Sequence, residues 1–90
     1  MRAWYDLAAA GDPQAQHNIG YLYEEGLGVT QQYDLAMDWY RRAADGGLAE
    51  AEHNLGMMYV EGRGAVKSWA QGLTYFRKAA EKGLTESRYM

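Results

Sequence analysis

The segment Ala15-Gln16-His17-Asn18-Ile19-Gly20 returns almost unchanged as Ala51-Glu52-His53-Asn54-Leu55-Gly56, 36 residues further along the chain. The same spacing separates Gly11 from Gly47 and Gly47 from Gly83. A fixed period of this length is typical of stacked helical units, each of which buries its apolar face against its neighbours. The repeat therefore predicts an array of small units and not one closed core.

Local signals at the ends of each period divide it into two helices. Asp12-Pro13 places an N-cap side chain before a proline at the first helical position, and Gly26 suits the left-handed residue that ends a helix. The first helix of each unit, helix A, is predicted at residues 13–25 and 49–61. The second, helix B, is predicted at residues 33–45 and 69–82, with Ser68 as a good N-cap and Gln32 as a poor one. Residues 2–10 match the end of an earlier helix B.

Apolar residues recur at steps of three and four in both helices, and no stretch alternates with period two, so the pattern predicts an all-α fold. Gly20 and Gly56 fall in the middle of helix A, where glycine costs about 1 kcal/mol relative to alanine. A close approach of helix B would offset that cost. We expect the large side chains that face these glycines to be Trp39 and Tyr75.

The first unit also carries a pattern of glycines, aromatics and small residues: Ile19-Gly20-x-x-Tyr23, Gly26-x-Gly28-Val29 and Ala36-x-x-Trp39-Tyr40-x-x-Ala43-Ala44-x-x-Gly47. This pattern resembles the Sel-one-like repeat (SLR) family, a relative of the tetratricopeptide (TPR) repeat. The second unit departs from it where Gly72 replaces the usual alanine, which we expect to loosen that helix. The resemblance implies a right-handed α-solenoid of antiparallel helix pairs, whose A helices line a concave face.

The predicted organisation is a single TPR-like solenoid domain over residues 1–90. It consists of a partial repeat with a helix B at 1–11, full repeats at 12–47 and 48–83, and the start of a third helix A at 84–90.

The function that the resemblance implies is that of a non-catalytic adaptor, which binds a peptide or helix of another protein. On the face of helix A opposite the core, the apolar Tyr21, Met57 and Val60 favour a covering molecule, which would be a peptide or helix of a partner or equally a second copy of this chain. The alternative is that the curvature of the stack partly buries them. The predicted partner-binding residues follow helical spacing along this face: Gln14, His17, Tyr21, Glu24, Glu50, His53, Met57 and Val60.

Both chain ends carry apolar side chains, whereas solenoid arrays normally finish in a polar face. Either the chain is cut from a longer array, or a second copy of the chain covers these ends. We predict a homodimer if the chain is the entire protein. The residues assigned to this self-association are Met1, Trp4, Tyr5, Leu7, Tyr89 and Met90.

Composition disfavours several other functions. The chain has no cysteine, which removes disulfide scaffolds, thiolate zinc sites and cysteine nucleophiles. A formal net charge of −3 with dispersed basic residues disfavours a nucleic-acid partner. His17 and His53 occupy equivalent positions, but two helices that pack at about 8 to 10 Å each separate them, too far to share one ion. We expect no catalytic residue, metal or cofactor.

Some cysteine-rich members of the family that the chain resembles have been linked to binding or hydrolysing β-lactams. The resemblance therefore implies, as the alternative, a small-molecule-binding or hydrolytic protein, and the absence of those cysteines from this chain argues against it. No apolar run approaches the roughly 20 residues that span a bilayer, so we expect no membrane insertion. The N-terminal residues lack the apolar stretch of a secretory signal. This predicts a cytoplasmic protein if the chain is complete, and a periplasmic or secreted one if an N-terminal segment is missing.

Overall fold

The computed structural model describes residues 2–83, with side chains from residue 5 onward. Five helices follow one another without a strand in this part of the chain: α1 Arg2–Ala9, α2 Pro13–Glu25, α3 Tyr33–Asp45, α4 Ala49–Glu61 and α5 Trp69–Glu81. Helices α2 and α3 pack together, as do α4 and α5, and α3 joins the two pairs by packing on α4. The predicted all-α solenoid of helix pairs is confirmed. None of the described helices is long and apolar enough to cross a membrane.

Helix ends lie where the local signals predicted them. The Asp12 carboxylate accepts hydrogen bonds from the backbone N–H groups of Gln14 and Ala15 at 2.9 and 3.4 Å. Ser68 Oγ accepts one from the backbone of Gln71 at 3.2 Å, whereas Gln32 caps α3 with no side-chain bond. Glycine at positions 26 and 62 ends α2 and α4 in the left-handed conformation. Helix α5 ends at Glu81, one residue before its predicted end.

The core forms where successive units meet. Its larger cluster joins α3 to α4 through buried residues of both helices: Ala36, Met37, Tyr40, Ala43, Ala44, Ala51, Leu55 and Met58. A smaller cluster joins α1 to α2 through Ala8, Ala15 and Ile19. Because small residues lie at these joints, the helix backbones approach closely and each unit stabilises the next.

The mid-helix glycines are sites of close helix approach, as predicted, but the predicted facing side chains were wrong. A Cβ on Gly20 would lie 2.8 Å from Cδ1 of Tyr40, and a Cβ on Gly56 would lie 2.8 Å from Cε1 of Phe76. Trp39 is half-buried and instead meets the ring of Tyr5 edge-on, with centroids 6.0 Å apart. Each of the two helices carries two adjacent aromatic residues, and the second of them is the one that faces the glycine.

The missing side chain of Gly72 leaves no empty space in the structure. A Cβ at this position would lie 2.5 Å from Cγ2 of Val60, so the valine methyl occupies the volume that an alanine side chain would take. Val60 is consequently buried, at 9% exposure, and packs against α5. Its assignment to an open partner-binding face was wrong, because the branched side chain fills a gap within the helix pair.

Candidate functional site

An open groove of about 450 Å³ runs between α2 and α4, the first helices of the two pairs. Side chains one turn apart on each helix point into it, because residues three and four apart share a helix face. This α2–α4 groove is lined by His17, Tyr21, Glu24, Glu25, Glu50, His53 and Asn54.

Five of the eight predicted partner-binding residues line the groove: His17, Tyr21, Glu24, Glu50 and His53. Gln14, Met57 and Val60 do not. Gln14 is exposed and bonds to Asn18 on its own helix at 3.2 Å, and Met57 is half-buried outside the lining.

Sequence reasoning missed Glu25 and Asn54, which also line the groove. Asn54 carried a usable signal, since it belongs to the repeated His-Asn pair, although its role depends on a contact between repeats. Glu25 recurs as Glu61 just before a helix-ending glycine, a pattern that had no functional explanation.

His17 connects the two repeats across the floor of the groove. Its Nε2 lies 2.8 Å from Nδ2 of Asn54, so the amide donates when that ring nitrogen is unprotonated. The ring rests against Tyr40 with centroids 5.3 Å apart. Burial lowers the pKa of His17, and the neighbouring Asn18 side chain and the charges of Glu50 and Glu24 only partly oppose this. The neutral imidazole that the Asn54 contact requires is therefore the favoured form at neutral pH.

Glu24 is held in place from two sides. Tyr40 donates its hydroxyl to Glu24 Oε1 at 2.6 Å, and Arg63 Nη1 lies 3.4 Å from Oε2. Burial, followed by the hydrogen bond to Glu24, raises the pKa of Tyr40 well above its ordinary value, so the phenol remains the donor. Because Arg63 also lies over the ring of Tyr33 at 5.5 Å, the loop after α4 is fixed against the first repeat.

The groove is acidic overall. Glu24, Glu25 and Glu50 contribute three carboxylates, and neither Glu25 nor Glu50 forms an ion pair within residues 5–83. Tyr21 offers an aromatic ring that is 47% exposed. No group of three or more His, Cys, Asp or Glu side chains placed to hold a metal ion occurs in the described part of the chain.

The residues assigned to self-association fall mostly beyond what the structure describes. Met1, Tyr89, Met90 and the side chain of Trp4 lie outside the described residues. Leu7 is 49% exposed and is available for contact. The Tyr5 hydroxyl instead lies 3.0 Å from that of Tyr23 in the same chain, and this hydrogen bond, with burial, raises the pKa of Tyr5 to about 12.

Family models and solved structures agree with this geometry. The model of the Sel1 repeat matches the chain twice, at residues 13–48 and 49–84. The chain belongs to the Sel1 repeat family. Proteins built from Sel1 repeats are generally non-catalytic modules that mediate protein interactions. Over 37 residues the chain is 46% identical to a chitin synthase regulator of Saccharomyces cerevisiae. This match covers 41% of the present chain and 5% of the yeast protein.

Solved Sel1 repeat structures superpose on nearly the whole chain. A Sel1 repeat protein from Oxalobacter formigenes is 39% identical with a TM-score of 0.88, over 96% of this chain and 37% of that one. A protective antigen with an SLR fold from uropathogenic Escherichia coli is 38% identical with a TM-score of 0.92, over 96% of this chain and 18% of its own. Helicobacter pylori cysteine rich protein B is 25% identical with a TM-score of 0.80, over 83% and 56% of the two chains. This Sel1 repeat chain thus spans less than two thirds of each of these relatives.

Proposed function

We propose that this Sel1 repeat chain is an interaction module that binds an extended or helical peptide of a partner protein in the α2–α4 groove, and that the peptide presents a lysine or arginine to it. The observation that carries the proposal is the lining itself, in which three carboxylates flank the exposed ring of Tyr21. A cationic side chain gains from both, through charge pairing and through contact with the face of the ring.

Glu25 and Glu50 are the carboxylates assigned to the ligand. Both are exposed, whereas Glu24 already receives Tyr40 and Arg63. The rigid Glu24 sets the position of the groove wall, and the two exposed acids remain able to bind a charge from outside. Tyr21 then covers the aliphatic part of the incoming side chain.

The alternative, a small-molecule-binding or hydrolytic protein, draws less support from the same lining. The groove residues include no serine, threonine or cysteine that would act as a nucleophile. The two carboxylates that face outward instead suit recognition of a charge.

A selection from a random peptide library displayed on phage, followed by fluorescence anisotropy with the enriched peptides, tests the proposal. We expect peptides enriched in lysine or arginine, and a loss of affinity of about tenfold for Glu50→Gln or for Tyr21→Ala, since each removes one favourable contact with the cation. Glu81→Gln is the matched control, because Glu81 is an exposed acid of α5 outside the groove, and it should bind like the parent chain. Enriched peptides without basic residues, or equal binding to all three variants, would contradict the proposal.

A further inference from the structure

One carboxylate of the α2–α4 groove is already paired with an arginine of the chain itself. Arg63 lies in the loop after α4, and its Nη1 is 3.4 Å from Oε2 of Glu24. Its Nε is 3.3 Å from Oε1 of Glu61, the last residue of α4. The other two groove carboxylates, those of Glu25 and Glu50, form no ion pair within residues 5–83. The groove therefore presents fewer free charges than its lining contains.

The loop that carries Arg63 is anchored through its backbone. The N–H group of Arg63 donates to the carbonyl oxygen of Met58 at 2.9 Å. A Cβ on Gly64 would lie 2.7 Å from the carbonyl oxygen of Tyr33, so the loop backbone packs directly on the start of α3. A substitution of the Arg63 side chain should therefore remove its ion pairs without releasing the loop.

The first repeat has no such arginine. Leu27 occupies the position 36 residues before Arg63 and is 49% exposed. Glu25 precedes this leucine by two residues, just as Glu61 precedes the arginine. The recurring glutamate is thus paired in the second repeat, where an arginine follows it, and unpaired in the first, where a leucine follows it. The residue at this loop position decides whether the glutamate remains available to a ligand.

We infer that Arg63 is a specificity-determining residue of the groove that acts through Glu24, and that it lowers by one the number of basic side chains with which the groove pairs in a partner peptide. The inference rests on the proposed function, in which groove carboxylates bind basic side chains. Oε1 of Glu24 accepts the hydroxyl of Tyr40 and Oε2 pairs with the guanidinium, so both oxygens are engaged and the charge is neutralised. A peptide that fits the groove carries its basic residues beside Glu25 and Glu50, and an uncharged residue where it passes Arg63.

Selection from one random peptide library against the parent chain and against Arg63→Gln tests the inference. Peptides enriched on the variant should carry about one more lysine or arginine, because Glu24 becomes free to pair. A synthetic peptide from the variant selection should bind Arg63→Gln about fivefold more tightly than the parent chain in fluorescence anisotropy, the upper range for a partly exposed ion pair. Its affinity should also fall more steeply with salt on the variant, since one more ion pair is screened.

Matched variants separate this ion pair from a change in net charge and from a disturbed loop. Lys67→Gln removes the same charge from an exposed position of the same loop, where the lysine forms no ion pair within residues 5–83, and should bind like the parent chain. Arg63→Lys keeps a charge beside Glu24 and should select the same peptides as the parent chain. Adding Glu24→Gln to Arg63→Gln should remove the gain in affinity. Circular dichroism checks that each variant keeps its helices.

The reciprocal substitution is Leu27→Arg, which gives the first repeat the arginine of the second. We expect the new side chain to pair with Glu25 and to weaken the binding of peptides selected on the parent chain about fivefold. Thr30→Arg is the control, because it adds the same charge at an exposed position further along the same loop, and it should weaken binding less.

The outcomes distinguish a failure of this inference from a failure of the proposed function. Equal numbers of basic residues in the two sets of peptides, or an equal gain in affinity for Lys67→Gln, would overturn the role of Arg63 and leave the proposed function standing. Enrichment of peptides without basic residues on the parent chain would overturn both.

Discussion

In both repeats an aromatic ring of the second helix packs against a glycine of the first, but the residues around this contact differ. In the first repeat, Gly20 receives the ring of Tyr40, whose hydroxyl donates to Glu24 at 2.6 Å. In the second repeat, Phe76 takes the place of the tyrosine and Val60 takes the place of the glutamate. The polar pair Tyr40 and Glu24 thus corresponds to the apolar pair Phe76 and Val60, and neither arrangement contains a tyrosine hydroxyl without an acceptor.

A third position changes together with this pair. Ala36 of the first repeat corresponds to Gly72 of the second, where a Cβ would lie only 2.5 Å from a methyl of Val60. The branched valine therefore requires the glycine, and the unbranched Cβ of Glu24 permits the alanine. The difference teaches that these substitutions are coupled, and that a groove carboxylate held by a tyrosine hydroxyl, that of Glu24, occurs in the first repeat and has no counterpart at Val60 of the second.

Breaking this coupling should give the largest effect. Val60→Glu places a carboxylate against Phe76, which has no hydroxyl to donate, and we expect a loss of about 3 kcal/mol in the free energy of unfolding. Adding Phe76→Tyr and Gly72→Ala rebuilds the first-repeat arrangement in the second repeat and should recover at least about 1 kcal/mol. Urea unfolding followed by circular dichroism measures both values.

The matched control for the rebuilt arrangement is the pair Phe76→Tyr and Gly72→Ala with Val60 retained. It should be less stable than the parent chain, because the added methyl meets Val60 and the new hydroxyl lacks an acceptor. If the triple variant were no more stable than Val60→Glu alone, the three positions would be independent and the comparison would fail.

A smaller loss of stability is expected from substituting the mid-helix glycines, which both repeats share. Gly20→Ala and Gly56→Ala each place a Cβ 2.8 Å from a buried ring and no more than 3.2 Å from a facing backbone carbonyl oxygen. Overpacking of about 1 to 3 kcal/mol should outweigh the roughly 1 kcal/mol that alanine gains in helix propensity, so both variants should melt at a lower temperature. Gly28→Ala is not a suitable control, because Gly28 has a φ of +77°, at which an alanine would be strained. Thermal melts in which either variant gained stability would remove close helix approach as the reason for these glycines.

The smallest expected effect concerns the helix caps. Gln32 and Ser68 precede α3 and α5 with nearly the same backbone angles, yet only the Ser68 side chain accepts a hydrogen bond from the backbone of its helix. Gln32→Ser should therefore stabilise the chain by about 0.5 to 1 kcal/mol, and Ser68→Ala should cost about as much. Gln32→Ala is the control, because it removes the glutamine without adding a capping side chain and so separates the two effects on stability. A stabilisation by Gln32→Ala equal to that by Gln32→Ser would show that capping is not the cause.

Most of the fold could be predicted because its signals are local. Asp12, Pro13, Gly26 and Ser68 act on backbone groups a few residues away, so the helix ends followed from them to within one residue. The candidate site was predicted in part for a similar reason. His17, Tyr21 and Glu24 share a face at helical spacing, whereas the addition of Asn54 depended on its contact with His17 of the other repeat.

The sequence by itself determined the repeat, its helices and the family, because periodicity and capping are properties of the chain read in order. Only the tertiary structure decided that Tyr40 rather than Trp39 faces the glycine, and that Val60 is buried under Gly72. One residue turns a side chain about 100° around a helix, so the direction that it faces depends on how the partner helix is placed. The placement of the partner helix is set by packing between residues 12 to 37 positions apart, which no local pattern encodes.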